Sequence, residues 1–221
     1  MIKAILWDND GVLVDTEHLF FEANRQILAQ HDVQLTPRQF LDWFLIENCG
    51  AWHLLLARGY TQAQISQLRA ARNQLQSQLL LAYQQRRESL AIPGMPALLA
   101  HLASKSLKMG VVTSALEEHF ELIHATLDFL PHLQFVLADG SYCNSKPAPD
   151  PYLLGLQRLG MAAEECLVVE DSPRGLQSAR AAGIRCIVLR NELSLDYGFP
   201  GAYRVVDNVA ALQEEIEKLL T

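Results

Sequence analysis

The chain has 221 residues, of which 50% are hydrophobic and 19% are charged, and it carries a formal net charge of −7. This length and composition fit one large domain, or a core domain with a smaller insert, and they exclude a disordered or low-complexity chain. The acidic balance argues against nucleic acid or an anionic membrane as the main partner, although a local cation could still hold a small phosphorylated molecule.

The start of the chain and its cysteines are typical of a cytoplasmic protein. Residues 1–3 lead directly into an apolar segment, without the basic start and cleavage site of a signal peptide. No apolar run approaches the roughly 20 residues that a membrane-spanning helix needs. The cysteines show no C-x-x-C spacing, which suits reduced thiols rather than zinc or disulfides. We therefore expect a cytoplasmic protein and favour a monomer, although the sequence does not define the oligomeric state.

Five short apolar runs predict the strands of one sheet. Each run is continuous rather than alternating, and polar residues follow them. The predicted strands are 2–7, 109–112, 135–138, 167–169 and 184–189. Helical patterns lie between them at 95–103, 116–127, 149–159 and 174–182. This alternation predicts an α/β fold, a doubly wound parallel sheet of the Rossmann-like type with both faces buried, in which ligands bind beyond the carboxyl ends of the strands.

One segment interrupts this alternation. Between residues 16 and 89 no strand is predicted, and helical patterns occupy 19–30, 37–45, 51–57 and 61–87. In the last of these, Leu68, Leu75 and Leu79 form a plausible apolar stripe. We therefore predict a Rossmann-like catalytic core of residues 1–15 and 90–221, with an inserted all-helical cap of residues 16–89. The connecting segments 11–16 and 88–93 would be its hinges.

Two acidic pairs stand directly after predicted strands. Asp8 and Asp10 are two positions apart, so along an extended chain their side chains can face the same way. Glu170 and Asp171 form the second pair. Carboxylates so close repel one another unless they share a positive charge, and Mg²⁺ takes carboxylate oxygens together with phosphate oxygens. Each pair has an ordinary alternative, because D-x-D-G is common turn chemistry and Asp171 or Ser172 could cap the next helix.

Hydroxyl groups and a lysine follow two other strands. Thr113 and Ser114 precede a predicted helix, where hydroxyl and N–H groups can bind an anion, although an ordinary N-cap would look the same. Lys146 lies in a proline-rich loop, whose restricted backbone would hold it, although a lone loop lysine is usually a solvated charge. Together with the acidic pairs, these residues predict a phosphate site with oxygen ligands for Mg²⁺.

This set of residues resembles the haloacid dehalogenase superfamily, in the subgroup that has a helical cap after the first strand and includes β-phosphoglucomutases and phosphoglycolate phosphatases. Four stretches carry the resemblance. They are DNDGVLVDTE at 8–17, VVTS at 111–114, KPAPD at 146–150 and EDSPRG at 170–175. The resemblance covers essentially the whole chain, although the cap matches in its helical character rather than in its residues.

The resemblance implies a Mg²⁺-dependent phosphatase that forms an aspartyl-phosphate on Asp8. Asp10 would protonate the leaving alcohol and later take a proton from the attacking water. The groups expected to hold the phosphate are Thr113, the Ser114 N–H and Lys146. The metal ligands implied are Asp8, the main-chain carbonyl of Asp10, and Asp171, with help from Glu170.

Other activities are weighed against this one. The dehalogenases of the superfamily lack an acid at the second position, where this chain has Asp10. The mutases carry a cap-side histidine at the position of Phe20 and an arginine in the first cap loop, whereas residues 45–50 include no arginine. A non-catalytic phosphate-binding protein would be expected to have lost Asp8, Asp10 or Lys146. The residues favour a phosphatase, with a phosphosugar mutase as the main alternative.

The cap would select the substrate. Its loop 47–53 aligns with the substrate-specificity loop of the family, and Glu47 and Asn48 are the candidate substrate-binding residues, followed by His53 and by Trp52, which could equally belong to the cap core. The negative charge of Glu47 suits a neutral polyol better than an acid, which favours sugar phosphates over phosphoglycolate. We expect a small phosphorylated metabolite as the partner, and neither nucleic acid nor a membrane.

Overall fold

The computed structural model describes residues 1–86 and 89–220. The chain forms two compact units, which we call the sheet unit (Met1–Asp15 and the chain from Leu90 onwards) and the helical unit (Thr16–Ser89). Arg87 and Glu88 lie outside the described residues. The predicted helix 61–87 ends at the first of them, and the predicted hinge 88–93 begins at the second. Within the described ranges, every helix is too short or too polar to cross a membrane.

The sheet unit is built on six parallel strands. They are β1 (Ala4–Trp7), β2 (Lys108–Val112), β3 (Val136–Leu137), β4 (Cys166–Glu170), β5 (Arg185–Leu189) and β6 (Arg204–Val206). Their order in the sheet is β3-β2-β1-β4-β5-β6. Successive side chains of a strand point to opposite faces, and all residues of β1 and β4 are buried, so both faces of the sheet are covered. The predicted doubly wound parallel sheet is confirmed.

The sequence pattern predicts five of these strands, with bounds that differ by up to two residues, and misses β6. This strand has three residues, and Arg204 and Val205 are exposed, so it shows neither the length nor the continuous apolar character of a buried strand. It lies at the edge of the sheet, where charged residues are common because they discourage pairing with another chain.

The helical unit contains four α-helices and a π-helix among the described residues. These are α1 (Glu17–Ala29), α2 (Pro37–Phe40), the π-helix Leu41–Ile46, α3 (Trp52–Ala57) and α4 (Gln62–Gln85). Capping boxes begin α2 and α4, in which the hydroxyls of Thr36 and Thr61 accept from the N–H groups of Gln39 and Gln64. The predicted helix 37–45 is therefore divided between two helix types. The all-helical character expected for the insert is found throughout the part of it that the structure describes.

The predicted apolar stripe of α4 lies at the margin of the face that the helix buries. Leu68, Leu75 and Leu79 are only half-buried. The residues that α4 buries are Ile65, Arg72, Gln76 and Leu80. These four recur at helical spacing on one face, but two of them are polar, which conceals the face from a pattern of apolar residues alone.

Five α-helices accompany the sheet in the part of the chain that the structure describes. They are α5 (Met95–Ser104), α6 (Glu117–His124), α7 (Asp150–Leu159), α8 (Pro173–Ala181) and α9 (Val209–Leu220). The sequence pattern leaves α9 unassigned, although it buries four apolar residues at helical spacing, Val209, Leu212, Ile216 and Leu219. Leu6 and Val168 of the sheet pack with Tyr152 of α7 and Leu176 of α8 in one buried cluster. This packing fixes the strands whose ends carry the candidate site.

Candidate active site

The sheet brings the predicted acidic and hydroxyl residues to one edge. Asp8 follows β1, Thr113 follows β2, and Glu170 is the last residue of β4. The register places the end of β1 beside the ends of β2 and β4. In a doubly wound sheet, ligands usually bind beyond the carboxyl ends of the strands, at the point where the strand order reverses. In this sheet that point is β1.

The loop between β3 and α7 carries Lys146 into this edge. Its side chain is almost fully buried (1% exposed). The Nζ donates hydrogen bonds to Asp8 Oδ1 at 2.9 Å, to Glu170 Oε1 at 2.6 Å and to the carbonyl oxygen of Val112 at 2.9 Å. The ammonium is therefore held between the two acidic pairs rather than solvated.

Burial and close contact determine the charges of these groups. Burial and the neighbouring Glu170 raise the pKa of Asp8 to about 7, against the opposite effect of Lys146. Burial would also raise the pKa of Glu170, but the charge and hydrogen bond of Lys146 lower it overall. Burial opposes the charge on Lys146, and the two carboxylates outweigh it and raise the pKa of that ammonium. Asp171 is also buried and lies close to Asp8 and Glu170. Positive charge beyond that of Lys146 would relieve the repulsion among these three carboxyl groups.

Three of these carboxyl groups are arranged as a possible metal site. Oxygen atoms of Asp8, Glu170 and Asp171 all lie within 4.8 Å of one another. A buried set of carboxylate oxygens fits a hard divalent cation such as Mg²⁺ and not a soft metal. The carboxylate of Asp10 is not in this group, and the role of its main-chain carbonyl as a ligand stays a prediction. Among the described residues, the donor set fits the cation predicted from the sequence.

Two glycines leave room for the carboxylates. Gly11, which follows the first acidic pair, has a φ of +77°, a conformation that favours glycine, and a Cβ there would collide with the carboxylate of Asp171. A Cβ on Gly175, in the first turn of α8, would collide with the carboxylate of Glu170. The glycines of the first and fourth motifs are therefore required by the space that the acids occupy.

Replacing Gly175 with alanine is expected to weaken the metal site. The added methyl group must displace the Glu170 carboxylate, and changes in the surroundings of metal ligands commonly lower affinity about 10–100-fold. We expect the Mg²⁺ concentration for half-maximal thermal stabilisation to rise by that factor. Gly198→Ala is the matched control, since a Cβ at Gly198 meets no atom within 4 Å. Equal Mg²⁺ responses of the two variants would contradict this interpretation.

Asp10 is held at the side of the site. Asn9 Nδ2 donates to Asp10 Oδ2 at 3.2 Å, and Thr113 Oγ1 lies 3.4 Å from the same oxygen. The Thr113 hydroxyl also accepts from the N–H of Ala115 at 3.0 Å, which fixes its orientation. Thr113 and Asp10 therefore belong to one hydrogen-bonded group.

Thr113 and Ser114 precede the helix predicted from residue 116, as expected, but neither of them caps it. The N-cap of α6 is Leu116, and no side chain caps this helix. Thr113 and the half-buried Ser114 lie in the loop after β2. By contrast, Ser172 does cap α8, accepting from Gly175 N–H at 3.2 Å and donating to Glu170 Oε2 at 3.1 Å. The capping role falls to Ser172 and leaves Asp171 in the carboxylate group.

Two residues that the sequence pattern misses support the acids. Tyr152 donates to Glu170 Oε1 at 2.6 Å, and its ring lies 4.9 Å from the Nζ of Lys146. Asn191 Nδ2 donates to Asp171 Oδ2 at 2.7 Å. Asn191 follows β5, and the rule that polar residues after strands line the site could have found it. Tyr152 gives no such signal, because an aromatic residue in a helix is usually part of the core.

The candidate substrate-binding residues Glu47 and Asn48 belong to the helical unit. Both are exposed after the π-helix, and Asn48 has a φ of +54°. The Trp52 side chain is buried (6% exposed), as expected of a core residue, and His53 Nδ1 lies 3.1 Å from the Gly50 carbonyl oxygen. The role of Glu47 and Asn48 in binding a substrate stays a prediction.

Phe20, at the position where the mutases have histidine, is in an apolar setting of the helical unit. Its ring contacts Phe40 and Phe44 edge to face, with centroids 5.7 and 6.1 Å away. The guanidinium of Arg72 lies 4.6 Å from the ring centroid. Phe20 therefore packs within its own unit and offers no group that could transfer a proton.

Comparisons with known proteins agree with these features. The chain is 28% identical to the protein CbbY of Rhodobacter capsulatus, in an alignment 236 positions long that covers 99% of both chains. It is 40% identical to hexitol phosphatase A of Escherichia coli over 99 residues, 45% of each chain. Among solved structures, β-phosphoglucomutase of Clostridium difficile has the same fold, with a TM-score of 0.78 and 20% identity over 100% of this chain and 99% of that chain.

The sequence profile of the family described as haloacid dehalogenase-like hydrolase matches residues 5–189. The match runs from β1 to the end of β5 and includes the four motif stretches. The matched residues are the ones whose carboxylates, lysine and glycines form the arrangement described above. The chain belongs to the haloacid dehalogenase-like hydrolases.

Proposed function

We propose that this phosphatase hydrolyses small phosphate monoesters, with sugar phosphates as the preferred class, in a Mg²⁺-dependent reaction through an aspartyl-phosphate on Asp8. One observation carries the proposal. Asp8 lies at the end of the central strand, and its carboxylate accepts from Lys146 and groups with the carboxylates of Glu170 and Asp171. A nucleophile, a cation and oxygen ligands for a metal are the parts that phosphoryl transfer needs in one place.

The first step transfers the phosphoryl group to Asp8. An oxygen of Asp8 forms a bond to phosphorus while the bond from phosphorus to the ester oxygen breaks, and Asp10 gives its proton to the departing alkoxide. In the second step water attacks the phosphorus of the aspartyl-phosphate, Asp10 takes a proton from that water, and Asp8 leaves as a carboxylate with release of phosphate. Asp10 ends the cycle protonated, as it began.

The surrounding residues position and neutralise the reacting groups. Lys146, fixed by its bonds to both acidic pairs, places positive charge next to the nucleophile, where an anionic ester must approach. Thr113 and the N–H of Ser114 are the proposed donors to the phosphate oxygens. Asp8, Glu170, Asp171 and the main-chain carbonyl of Asp10 would hold Mg²⁺. When bound, the ion supplies charge neutralisation between the carboxylate and the phosphate.

The choice of sugar phosphates rests on two supports. Hexitol phosphatase A, which shares 40% identity with this chain over 99 residues, is named for phosphorylated hexitols. Glu47, exposed at the end of the π-helix, adds negative charge to the proposed specificity loop and would repel a carboxylated substrate. A neutral polyol attached to the phosphate would not be repelled by Glu47.

The alternatives are weakened by specific residues. A mutase needs a proton-transferring group in the cap, and Phe20 is packed against other aromatic rings instead. A non-catalytic binding protein has no need of Asp10, since the acid acts on the leaving group and not on bound phosphate. A dehalogenase likewise needs no proton donor for its halide.

Magnesium-dependent release of phosphate from p-nitrophenyl phosphate tests the proposal. Removing Mg²⁺ with a chelator is expected to lower the rate more than about 100-fold, because a metal stabilises the transferring group by several kcal/mol. Restoring Mg²⁺ should restore the rate. Folded protein without turnover under these conditions would support the binding alternative.

A panel of phosphorylated metabolites then separates the substrate classes. We expect kcat/KM to be higher for hexose and hexitol phosphates than for phosphoglycolate, and no conversion of glucose 1-phosphate to glucose 6-phosphate. A preference for phosphoglycolate would overturn the argument from Glu47, and isomerisation of glucose 1-phosphate would favour the mutase.

A further inference from the structure

A buried pair of side chains joins α6 to Asp10. Asn9, between the two aspartates of the first acidic pair, is fully buried (0% exposed), and His124, the last residue of α6, is 3% exposed. The Nε2 of His124 lies 2.7 Å from Asn9 Oδ1. On its other side, Asn9 Nδ2 donates to Asp10 Oδ2 at 3.2 Å. The reaction outlined above gives neither Asn9 nor His124 a part.

The chemistry of the three groups fixes the direction of both hydrogen bonds. Asp10 Oδ2 accepts from Asn9 Nδ2 and from Thr113 Oγ1, which places the carbonyl oxygen of Asn9 on the side of His124. That oxygen only accepts, so the proton of the imidazole must be on Nε2. The Nδ1 of His124 is buried without a hydrogen-bond partner, so a proton there would leave a buried donor unpaired. The neutral ring with its proton on Nε2 is the form that fits.

Aromatic rings hold this imidazole in place. Phe120 stacks on His124 with centroids 4.0 Å apart, and Phe129 meets it edge to face at 5.3 Å. Burial lowers the pKa of His124 to about 4, so the ring stays neutral at physiological pH. His124 is therefore a fixed hydrogen-bond donor and does not act as an acid or a base.

We propose that His124 and Asn9 are positioning residues for Asp10, in which the ring orients the Asn9 amide and the amide orients the Asp10 carboxylate towards the leaving oxygen. This inference rests on the proposed function, in which Asp10 is the general acid. Thr113 Oγ1 approaches the same oxygen, Oδ2, at 3.4 Å, so two donors define how the carboxylate is turned. A general acid works only within hydrogen-bond reach of the atom that it protonates. Loss of this orientation should therefore affect only esters whose leaving group needs a proton.

Three phosphate esters of similar shape test the pair. p-Nitrophenyl phosphate releases a stable anion that needs no proton, benzyl phosphate releases an alkoxide that does, and phenyl phosphate lies between them. Because kcat/KM covers the steps up to departure of the leaving group, it isolates the acid role of Asp10 from its later role as a base. His124→Phe keeps an aromatic ring but removes the donor. We expect kcat/KM to fall about tenfold for benzyl phosphate and less than about twofold for p-nitrophenyl phosphate.

Three further variants separate positioning from packing. His124→Gln places an amide N–H near the position of Nε2, and it should restore the benzyl phosphate rate to within about threefold of wild type. Phe129→Leu removes the edge contact and neither hydrogen bond, so it should lower the unfolding temperature without changing the ratio among the esters. Asn9→Leu removes the donor to Asp10 itself, should reproduce the selective loss, and replaces His124→Phe if that variant does not fold.

The outcomes are distinct. Equal losses for all three esters in His124→Phe and Asn9→Leu would overturn the positioning role, because a structural defect lowers all rates together. No loss in either variant would overturn it too. Wild-type protein that releases phosphate from none of the esters would remove the proposed function itself, and with it the role assigned to the pair.

Discussion

Asp8→Asn is expected to abolish turnover while the fold is retained. The amide is close in size to the carboxylate, and its oxygen can still accept from Lys146, but it cannot attack phosphorus. Loss of a nucleophile commonly lowers kcat by about 10⁴-fold or more, and we expect a loss of that size. Phosphate release from p-nitrophenyl phosphate and from the best metabolite of the panel measures it.

The stability of this variant gives an independent result. Burial and Glu170 raise the pKa of Asp8 to about 7, above its unfolded value, so the folded state favours the protonated acid and loses stability as the pH rises through about 7. Asparagine does not ionise, so the metal-free variant should be at least as stable as wild type at pH 8. Mg²⁺ should stabilise wild type more than the variant, because a ligand is lost. Asp196→Asn, at an exposed position, is the control. Turnover of Asp8→Asn within tenfold of this control would exclude Asp8 as the nucleophile.

Lys146→Met is expected to lower both stability and activity. Methionine fills similar space but leaves Asp8 and Glu170 without the buried cation between them. Removing one partner of a buried ion pair typically costs about 3–5 kcal/mol of unfolding free energy. The rate of phosphate release should fall about 10²–10³-fold, as for the loss of a fixed charge at a reacting group. Urea unfolding and kcat/KM measure the two effects.

A pH series and a control variant at a second lysine distinguish the role of Lys146 from a general loss of positive charge. Without Lys146 the pKa of Asp8 rises further above its unfolded value, and the pKa of Glu170 is no longer lowered by the ammonium. The deficit should therefore be largest at pH 8 and smaller at pH 5, where protonation removes charge. Lys3→Met breaks the ion pair of Lys3 with Glu165, in which the lysine side chain is 59% exposed. Such surface pairs contribute about 0–1 kcal/mol. A Lys146→Met deficit no larger than that of Lys3→Met, or one independent of pH, would contradict the structural role given to Lys146.

The sequence predicts best those features that depend on local order along the chain. Asp8, Thr113 and Glu170 could be placed together because each ends an apolar strand, and parallel strands bring their carboxyl ends to one edge. Gly175 and Ser172 could be recognised as parts of a motif, but the collision of a methyl group with Glu170 could not, since it depends on where that carboxylate points.

Contacts between distant parts of the chain are concealed in the sequence. Tyr152 reaches Glu170, at the end of β4, from α7, and His124 reaches Asn9 across 115 positions. Nothing local distinguishes either residue from a core side chain. In the helical unit, Arg72 and Gln76 occupy the centre of the buried face of α4, so a search for apolar residues selects the half-buried leucines beside it. The edge strand β6 is missed for another reason, because an exposed arginine followed by two valines is too short an apolar run to predict a strand.

The central position of β1 affects how local unfolding reaches the site. It is hydrogen-bonded to a neighbour on each side, and all four of its residues are completely shielded from solvent. Fraying begins at sheet edges and surface segments, and a central strand opens only with the cooperative loss of its neighbours. Asp8 is thereby attached to a central strand, so thermal fluctuations that loosen β3 or β6 are expected to leave the proposed nucleophile in register.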